Sequence, residues 1–193
     1  MVLEHIDFEL LPGEIHALVG ENGAGKSTCL GLLYGLHKPT DGTLLLNDAE
    51  AAIESPAHAQ QSGIGFVFQE LSLAGSLSVA ENIFAGRAPS RFGIVDWSEL
   101  RRRAEALLTE FGLSIDVSLP VDSLPISTRQ IVEIAKAMSL NPMILLLDEP
   151  TSALTPDEVE GLFVVLRKLA KKGIGIVYVS HHMSEIFAIS DRI

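Results

Sequence analysis

The sequence contains a single cysteine, Cys29, among its 193 residues. One thiol cannot close an internal disulfide, which excludes a disulfide-stapled secreted framework and points to a reducing compartment, the cytoplasm. Long apolar runs are missing as well: no stretch approaches the ~18 residues of a membrane-spanning helix. The opening Met1-Val2-Leu3-Glu4-His5-Ile6-Asp7 is acidic where a leader is basic and then apolar. Positive charge is scarce. With 14 Lys and Arg against 25 Asp and Glu, the net charge is −11. The one tight basic run, Arg101-Arg102-Arg103, points in several directions around a helix and reads as a solvated face. Such a chain lacks the clustered cations that neutralise phosphate backbones, so no nucleic-acid partner is expected.

With 47% hydrophobic and 20% charged residues, the chain can bury a sizeable core and is not a disordered segment. Its length suits one domain, with or without an inserted lobe. Apolar runs at residues 6–10 and 15–19 flank Leu11-Pro12-Gly13-Glu14, a turn signal, and read as neighbouring strands, the first entered from Val2. Helical spacing over 26–36 stops before Pro39 and Asp41-Gly42; a strand is expected at 43–46, a short helix at 56–61 and a strand at 64–68. From 78 to 140 the pattern turns helical, with helices expected at 79–85 behind a Ser78 cap, at 97–111 and at 129–139. The unbroken apolar run at 143–147 marks a strand buried on both faces, followed by a helix at 156–172 capped by Thr155, a strand at 174–179 and a helix at 184–189. Strands alternating with helices at both ends, with helices inserted between, predict an α/β fold with a mostly parallel sheet. The last residues, Asp191-Arg192-Ile193, begin another apolar element, as in a segment of something longer.

Gly20-Glu21-Asn22-Gly23-Ala24-Gly25-Lys26-Ser27-Thr28 fits the phosphate-loop pattern G-x-x-x-x-G-K-[ST], after an apolar strand and before a helix. Glycines let successive N–H groups face phosphates at a positive helix end. Lys26 supplies a point charge to the β and γ phosphates, and the Ser27 hydroxyl can ligate Mg²⁺. A glycine-rich turn that binds nothing is the weaker alternative in this context. Further on, Ile144-Leu145-Leu146-Leu147 ends in Asp148 and Glu149. At the carboxyl end of a buried strand, Asp148 would hold the Mg²⁺ water shell, and Glu149 could polarise an attacking water.

Together these segments resemble the ATP-binding cassette of ABC transporters, over nearly the whole chain. The phosphate loop is similar to Walker A, and Leu145-Leu146-Leu147-Asp148-Glu149-Pro150-Thr151-Ser152-Ala153-Leu154 to Walker B running into the D-loop. Gln69, in Phe66-Val67-Phe68-Gln69-Glu70, falls at the family's Q-loop, and Val179-Ser180-His181 resembles its switch histidine. The resemblance implies a P-loop core with N-terminal antiparallel strands and an inserted helical lobe: 1–69 and 140–193 as catalytic core, 70–139 as helical subdomain, in one ABC domain incomplete at both ends. It implies that Glu149 is the general base, that His181 contacts the γ-phosphate, that Gln69 senses γ-phosphate and Mg²⁺, and that residues 152–155 lie at a dimer interface. His5, His16, His37, His58 and His182 are expected to be surface histidines, and Cys29 a small buried residue.

Within the family, Gly13-Glu14-Ile15-His16-Ala17-Leu18, Glu81-Asn82-Ile83-Phe84 with Gly86-Arg87, and Gln130-Ile131-Val132-Glu133-Ile134-Ala135-Lys136-Ala137 look like the first cassette of bacterial ribose, galactose and xylose importers. The family's L-S-G-G-Q signature is degenerate here: Leu124-Pro125-Ile126-Ser127-Thr128. Pro125 has neither hydroxyl nor N–H, and Ile126 and Ser127 put side chains where glycines let the backbone approach. In the head-to-tail dimer that the resemblance implies, that loss falls on the partner's nucleotide site, since this chain's own Walker set is intact. An adenine-stacking aromatic residue, upstream of the first strand in the family, has no counterpart in this segment.

The resemblance thus implies an ATP-hydrolysing subunit, with ATP and Mg²⁺ as ligands, coupling hydrolysis to uptake of a monosaccharide or related small sugar. Its partners would be a second cassette, membrane permease subunits and, indirectly, a sugar-binding protein, at the cytoplasmic face of the inner membrane. The competing expectations are a soluble ABC-type ATPase and a non-hydrolysing nucleotide-dependent interaction module.

Overall fold

The computed structural model describes residues 3–21 and 23–193, so Val2 and Asn22 lie outside the described residues. The chain runs β1 (Ile15–Leu18), α1 (Lys26–Leu33), β2 (Leu45–Leu46), β3 (Ala49–Glu50), α2 (Pro56–Gln61), β4 (Ile64–Val67), α3 (Val79–Ile83), β5 (Ser90–Arg91) and β6 (Ile94–Val95). It continues with α4 (Trp97–Phe111), a 3-10 turn at Val121–Ser123, α5 (Ile126–Met138), β7 (Ile144–Asp148), α6 (Pro156–Lys171), β8 (Gly175–Val179) and α7 (Met183–Ile189). No helix among the described residues is long and apolar enough to cross a membrane.

Strands β1, β8, β7 and β4 pair in that order, all parallel. Their side chains alternate between two apolar clusters. Leu145, Leu147, Ile176 and Tyr178 pack with α6, whereas Leu146, Val177 and Val179 pack with Leu30 and Tyr34 at the α1 side. Burial on both faces is why β7 and β8 read as continuous apolar runs. Burying one such leucine fully is worth about 1.5–3 kcal/mol. The helices between β4 and β7 extend the α6-side cluster through Val79, Ala80 and Ile83, then Leu100, Ala104, Leu108 and Phe111, then Val132, Ile134 and Ala135. The helical insertion therefore shares an apolar interior with the sheet.

Local chemistry sets the helix ends. Ser78 and Glu81 form a capping box on α3, and the Asp96 carboxylate accepts the Glu99 N–H at 3.0 Å to start α4. On the surface of α4, Arg102 and Arg103 pair with Glu99, and their guanidinium groups bring its carboxyl down to about 2. The basic run is a solvated face, as its spacing predicts. Helix α1 stops at Leu33 rather than 36 because Gly35 turns left-handed (φ 73°), and a Cβ there would lie 2.7 Å from the Ser55 nitrogen.

Residues 6–10 form no strand. The edge of β1 they were expected to take is bonded instead by the chain's last residues: the Asp191 N–H donates to the Ile15 carbonyl and the Ala17 N–H to the Arg192 carbonyl, both at 2.8 Å. The earlier segment is held by side chains, with Phe8 against the His16 ring and His16 Nδ1 2.9 Å from the Glu9 carbonyl oxygen. His16 is consequently buried, not a surface histidine. Antiparallel pairing occurs in the two short hairpins β2–β3 and β5–β6. Both turn through two residues of positive φ, Asn47-Asp48 and Phe92-Gly93, as two-residue hairpins require. The second hairpin interrupts what reads as helical sequence. Helix α5 begins at Ile126, with Pro125 as its N-cap, earlier than the expected 129.

Candidate functional site

Strand order decides which loops meet. β1 leads into the loop before α1, β8 into Ser180-His181, β7 into Asp148-Glu149 and β4 into Phe68-Gln69. Because the four strands are parallel and adjacent, these loops emerge side by side at the carboxyl edge of the sheet, where open α/β sheets bind ligands.

Gly23 and Gly25 hold φ values of 85° and 94°, which L side chains rarely adopt. Gly25 is the N-cap of α1, and neither it nor any acid in the first turn caps the helix, whereas α2, α3 and α4 are capped by Ser55, Ser78 and Asp96. The first N–H groups of α1 are thus open to an external anion at a positive helix end. Lys26 Nζ donates to the carbonyls of Gly20 at 2.7 Å and Glu21 at 3.1 Å, which folds the ammonium over the loop. A cleft of about 390 Å³ opens above, lined by Gly23, Gly25, Lys26, Ser27, Thr28, Gln69 and Glu149. Ala24 closes the turn, its N–H donating to the Glu21 carbonyl at 3.1 Å.

Asp148, the last residue of β7, is buried, and the Ser27 side chain at the start of α1 is among the groups that act on its carboxyl. Burial pushes its carboxyl above the ordinary value, opposed by the Ser27 hydroxyl, reinforced by the Glu149 charge and opposed again by Lys26. A carboxyl desolvated in this way, beside a hydroxyl at the floor of an open cleft, fits a divalent cation, whose charge would replace the lost solvation. Among the described residues no group of three His, Cys, Asp or Glu forms a metal cage. Mg²⁺ at phosphate sites is usually held by one or two side chains with phosphate oxygens and water, and the Ser27–Asp148 pair matches that donor set.

Glu149 leaves β7 at φ 45°, in the left-handed region, with its N–H donating to the Val179 carbonyl at 3.0 Å. Holding a non-glycine residue there costs on the order of 1–3 kcal/mol. Its carboxylate meets the other two expected catalytic groups: Oε1 lies 3.3 Å from His181 Nδ1, and Oε2 accepts from Gln69 Nε2 at 3.4 Å. Gln69 therefore faces Glu149 and the cleft that Ser27 also lines. Pro125, Ile126, Ser127 and Thr128 do not line this cleft. Glu158 accepts from the Thr155 N–H and hydroxyl, both at 2.9 Å, and its carboxyl is held below its ordinary value by the Thr155 N–H first and then by the Ser127 hydroxyl. Cys29, after the phosphate loop, is half-buried, and burial pushes its thiol up, away from reactivity.

The family described as ABC transporter matches residues 3–152, more than half of the chain. The chain belongs to this family. It is 50% identical over 193 residues to the ribose import ATP-binding protein RbsA of Chromobacterium violaceum, covering 100% of this chain and 38% of that protein. A putative ribose/galactose/methyl galactoside import ATP-binding protein of Hahella chejuensis is 44% identical over 193 residues, with the same coverage of 100% and 38%. The chain thus spans less than half the length of these curated relatives. Among solved structures, a dimeric post-hydrolysis state of the ATP-binding cassette MJ0796, bound to ADP and Pi, superposes with a TM-score of 0.77 at 28% identity, over 95% of this chain and 82% of that one.

In this ABC-family chain one cluster beside the cleft has no signature in the sequence. Glu185 Oε2 accepts hydrogen bonds from Thr151 Oγ1 at 2.6 Å, Tyr178 Oη at 2.9 Å and Ser180 Oγ at 3.0 Å. Burial pushes the Tyr178 phenol far up, so it stays a donor. Each residue belongs to a different element, and only the β7–β8 pairing and the return of α7 bring them together. The importer-like segments also find places: Glu133 and Lys136 of α5 grip Ser72, Asn82 bonds the Ala74 backbone in both directions, and Arg87 donates to the Ile83 and Ser139 carbonyls. All fix the segment that follows Gln69 or the helix ends beside it.

Proposed function

We propose that the full-length protein hydrolyses ATP to drive uptake of a monosaccharide or related small sugar, with this chain as its first nucleotide-binding cassette. The convergence of Glu149, His181 and Gln69 on the cleft above the phosphate loop carries the hydrolytic part. The open N–H groups before α1 and the Lys26 ammonium bind and orient the phosphates. Ser27 and Asp148 would hold Mg²⁺, with Gln69, which lines the same cleft, as a third candidate ligand. When bound, that ion neutralises phosphate charge. Glu149 takes the proton from the attacking water, and His181, tied to Glu149, donates to the γ-phosphate side. Asn22 completes the phosphate loop in this reading.

The import part rests on the names of the relatives, which match along this whole chain. The 62% of the first relative's length that lies outside the match, from 100% less 38%, leaves room for a second cassette of this size. The dimeric cassette of similar fold supports a composite site between the two. Pro125, Ile126, Ser127 and Thr128 would then face the second cassette's nucleotide, which makes this chain's own site the active one. Residues 70–139 would act as the helical subdomain against a catalytic core of 1–69 and 140–193. A groove of about 260 Å³ next to Gln69, lined by Phe66, Phe68, Ser72, Arg87 and Lys136 among others, is where permease subunits would dock. In this proposal the chain works at the cytoplasmic face of the inner membrane, with a sugar-binding protein engaged indirectly and no nucleic acid.

The test is uptake of labelled ribose, galactose or xylose into right-side-out reconstituted vesicles that carry the full-length protein and its permease, with nucleotide enclosed and the sugar-binding protein outside. Uptake that requires Mg²⁺-ATP supports the proposal. ATP turnover without any sugar dependence would favour the soluble ATPase, and nucleotide binding without turnover would favour a non-hydrolysing module, the alternative that the degenerate signature favours.

A further inference from the structure

The geometry points to Glu185 as a positioning residue that locks the loop carrying Glu149 to the loop carrying His181, so that both side chains reach the cleft as one unit. This rests on the hydrolytic function proposed above. Thr151 lies two residues beyond Glu149, and Ser180 immediately precedes His181. The two loops leave neighbouring strands, β7 and β8, whose last paired residues are Asp148 and Val179. Beyond that point the ladder ends and only the Glu149 N–H to Val179 carbonyl bond continues it.

Glu185 closes the gap. Its Oε2 takes the Thr151 hydroxyl from one loop and the Ser180 hydroxyl from the other, with Tyr178 Oη as a third donor from inside β8. Ser180 Oγ in turn accepts the His182 N–H at 3.1 Å, which fixes the backbone on the far side of His181. Thr151, Tyr178 and Ser180 are 4%, 0% and 1% exposed, so without the carboxylate three buried hydroxyls would lose their common acceptor. The placement also explains how Glu149 keeps its left-handed backbone: the turn after it is anchored two residues later rather than free to relax. Glu185 itself does not line the cleft, so its influence on chemistry passes through Glu149 and His181.

Since all three bonds fall on one oxygen, an amide whose oxygen occupies that place keeps every donor satisfied. Glu185→Gln should therefore behave nearly as wild type, whereas Glu185→Ala should not. In the full-length protein with its permease, we expect Glu185→Ala to lower kcat at least tenfold with the Kd for ATP within twofold, because the phosphate loop is untouched. Thr151→Val, which keeps shape and removes one hydroxyl, should lower kcat severalfold in the same way and covers the case in which the alanine variant fails to fold. Hydrogen exchange of the nucleotide-free full-length protein reads the tie without chemistry: Glu185→Ala should raise exchange together at 149–154 and at 180–183. A rise confined to 180–186, an unchanged kcat in Glu185→Ala, or a Glu185→Gln variant as damaged as Glu185→Ala would overturn the inference. A wild-type protein that binds ATP without hydrolysing it would instead overturn the hydrolytic function, and the exchange pattern would still decide the tie.

Discussion

Glu149 Oε1 and His181 Nδ1 lie 3.3 Å apart, although 32 positions separate the two residues (181 − 149) and each leaves a different strand. Parallel pairing of β7 with β8 produces this contact, and Gln69, from the end of β4, closes it from the other side. The groups proposed to react are thus set by sheet order, and each can be tested by its own loss.

Removing the Lys26 ammonium deletes the side-chain cation that the phosphate loop folds over itself. Lys26→Ala should weaken Mg²⁺-ATP binding to the full-length protein by tenfold or more, about 1.4 kcal/mol or above for one lost charge-assisted contact. Titration calorimetry measures it directly; equal affinities in the two proteins would refute the phosphate-loop assignment.

The backbone at Glu149 supplies a prediction in the opposite direction. Because φ is 45° there, Glu149→Gly relieves strain and should leave thermal stability unchanged or raise it by up to about 1 kcal/mol, while turnover is lost. Calorimetric melting of both proteins checks it. A clearly lower melting temperature in the glycine variant would mean that the side chain stabilises the fold as well.

Arg87 donates to the Ile83 and Ser139 carbonyls and to Ser139 Oγ, so it caps the ends of two helices at once. Arg87→Ala should destabilise the protein by about 1–3 kcal/mol, the usual cost of leaving such acceptors without a charged donor. Denaturant unfolding of the full-length protein gives the value, and a midpoint that does not move would show the carbonyls to be satisfied by water.

The glycine-rich loop before α1, the strand ending in Asp148 and the three side chains proposed as catalytic are legible in the sequence because each lies where an apolar run ends abruptly in polar or glycine residues. The run of Leu145, Leu146 and Leu147 can only be a strand covered on both faces, and Asp148 then has to stand at its edge. What is not legible depends on competition between distant segments. Residues 6–10 have the apolar content of a strand, but the edge of β1 is occupied by Asp191 and Arg192. The hairpin at Phe92-Gly93 depends on two consecutive left-handed residues, and phenylalanine gives no hint of that conformation. Glu185 is one acid among many until the return of α7 presents it to three hydroxyls.

In the assembled protein, replacing Pro125 with Ser, Ile126 and Ser127 with Gly, and Thr128 with Gln should raise turnover less than twofold. These residues lie outside this chain's own cleft and would serve only the opposite site. Steady-state hydrolysis is the readout. Restoration of full activity in a protein that also carries Lys26→Ala would show the second site to be competent and end the one-active-site account.

The most direct test of the central claim compares ATP occupancy with ATP turnover in the full-length complex carrying Glu149→Gln. The amide can still accept from Gln69 but cannot take a proton from water. The account predicts ATP bound with wild-type affinity and hydrolysis reduced by a hundredfold or more, about 2.7 kcal/mol in the barrier. Hydrolysis at the wild-type rate would contradict it.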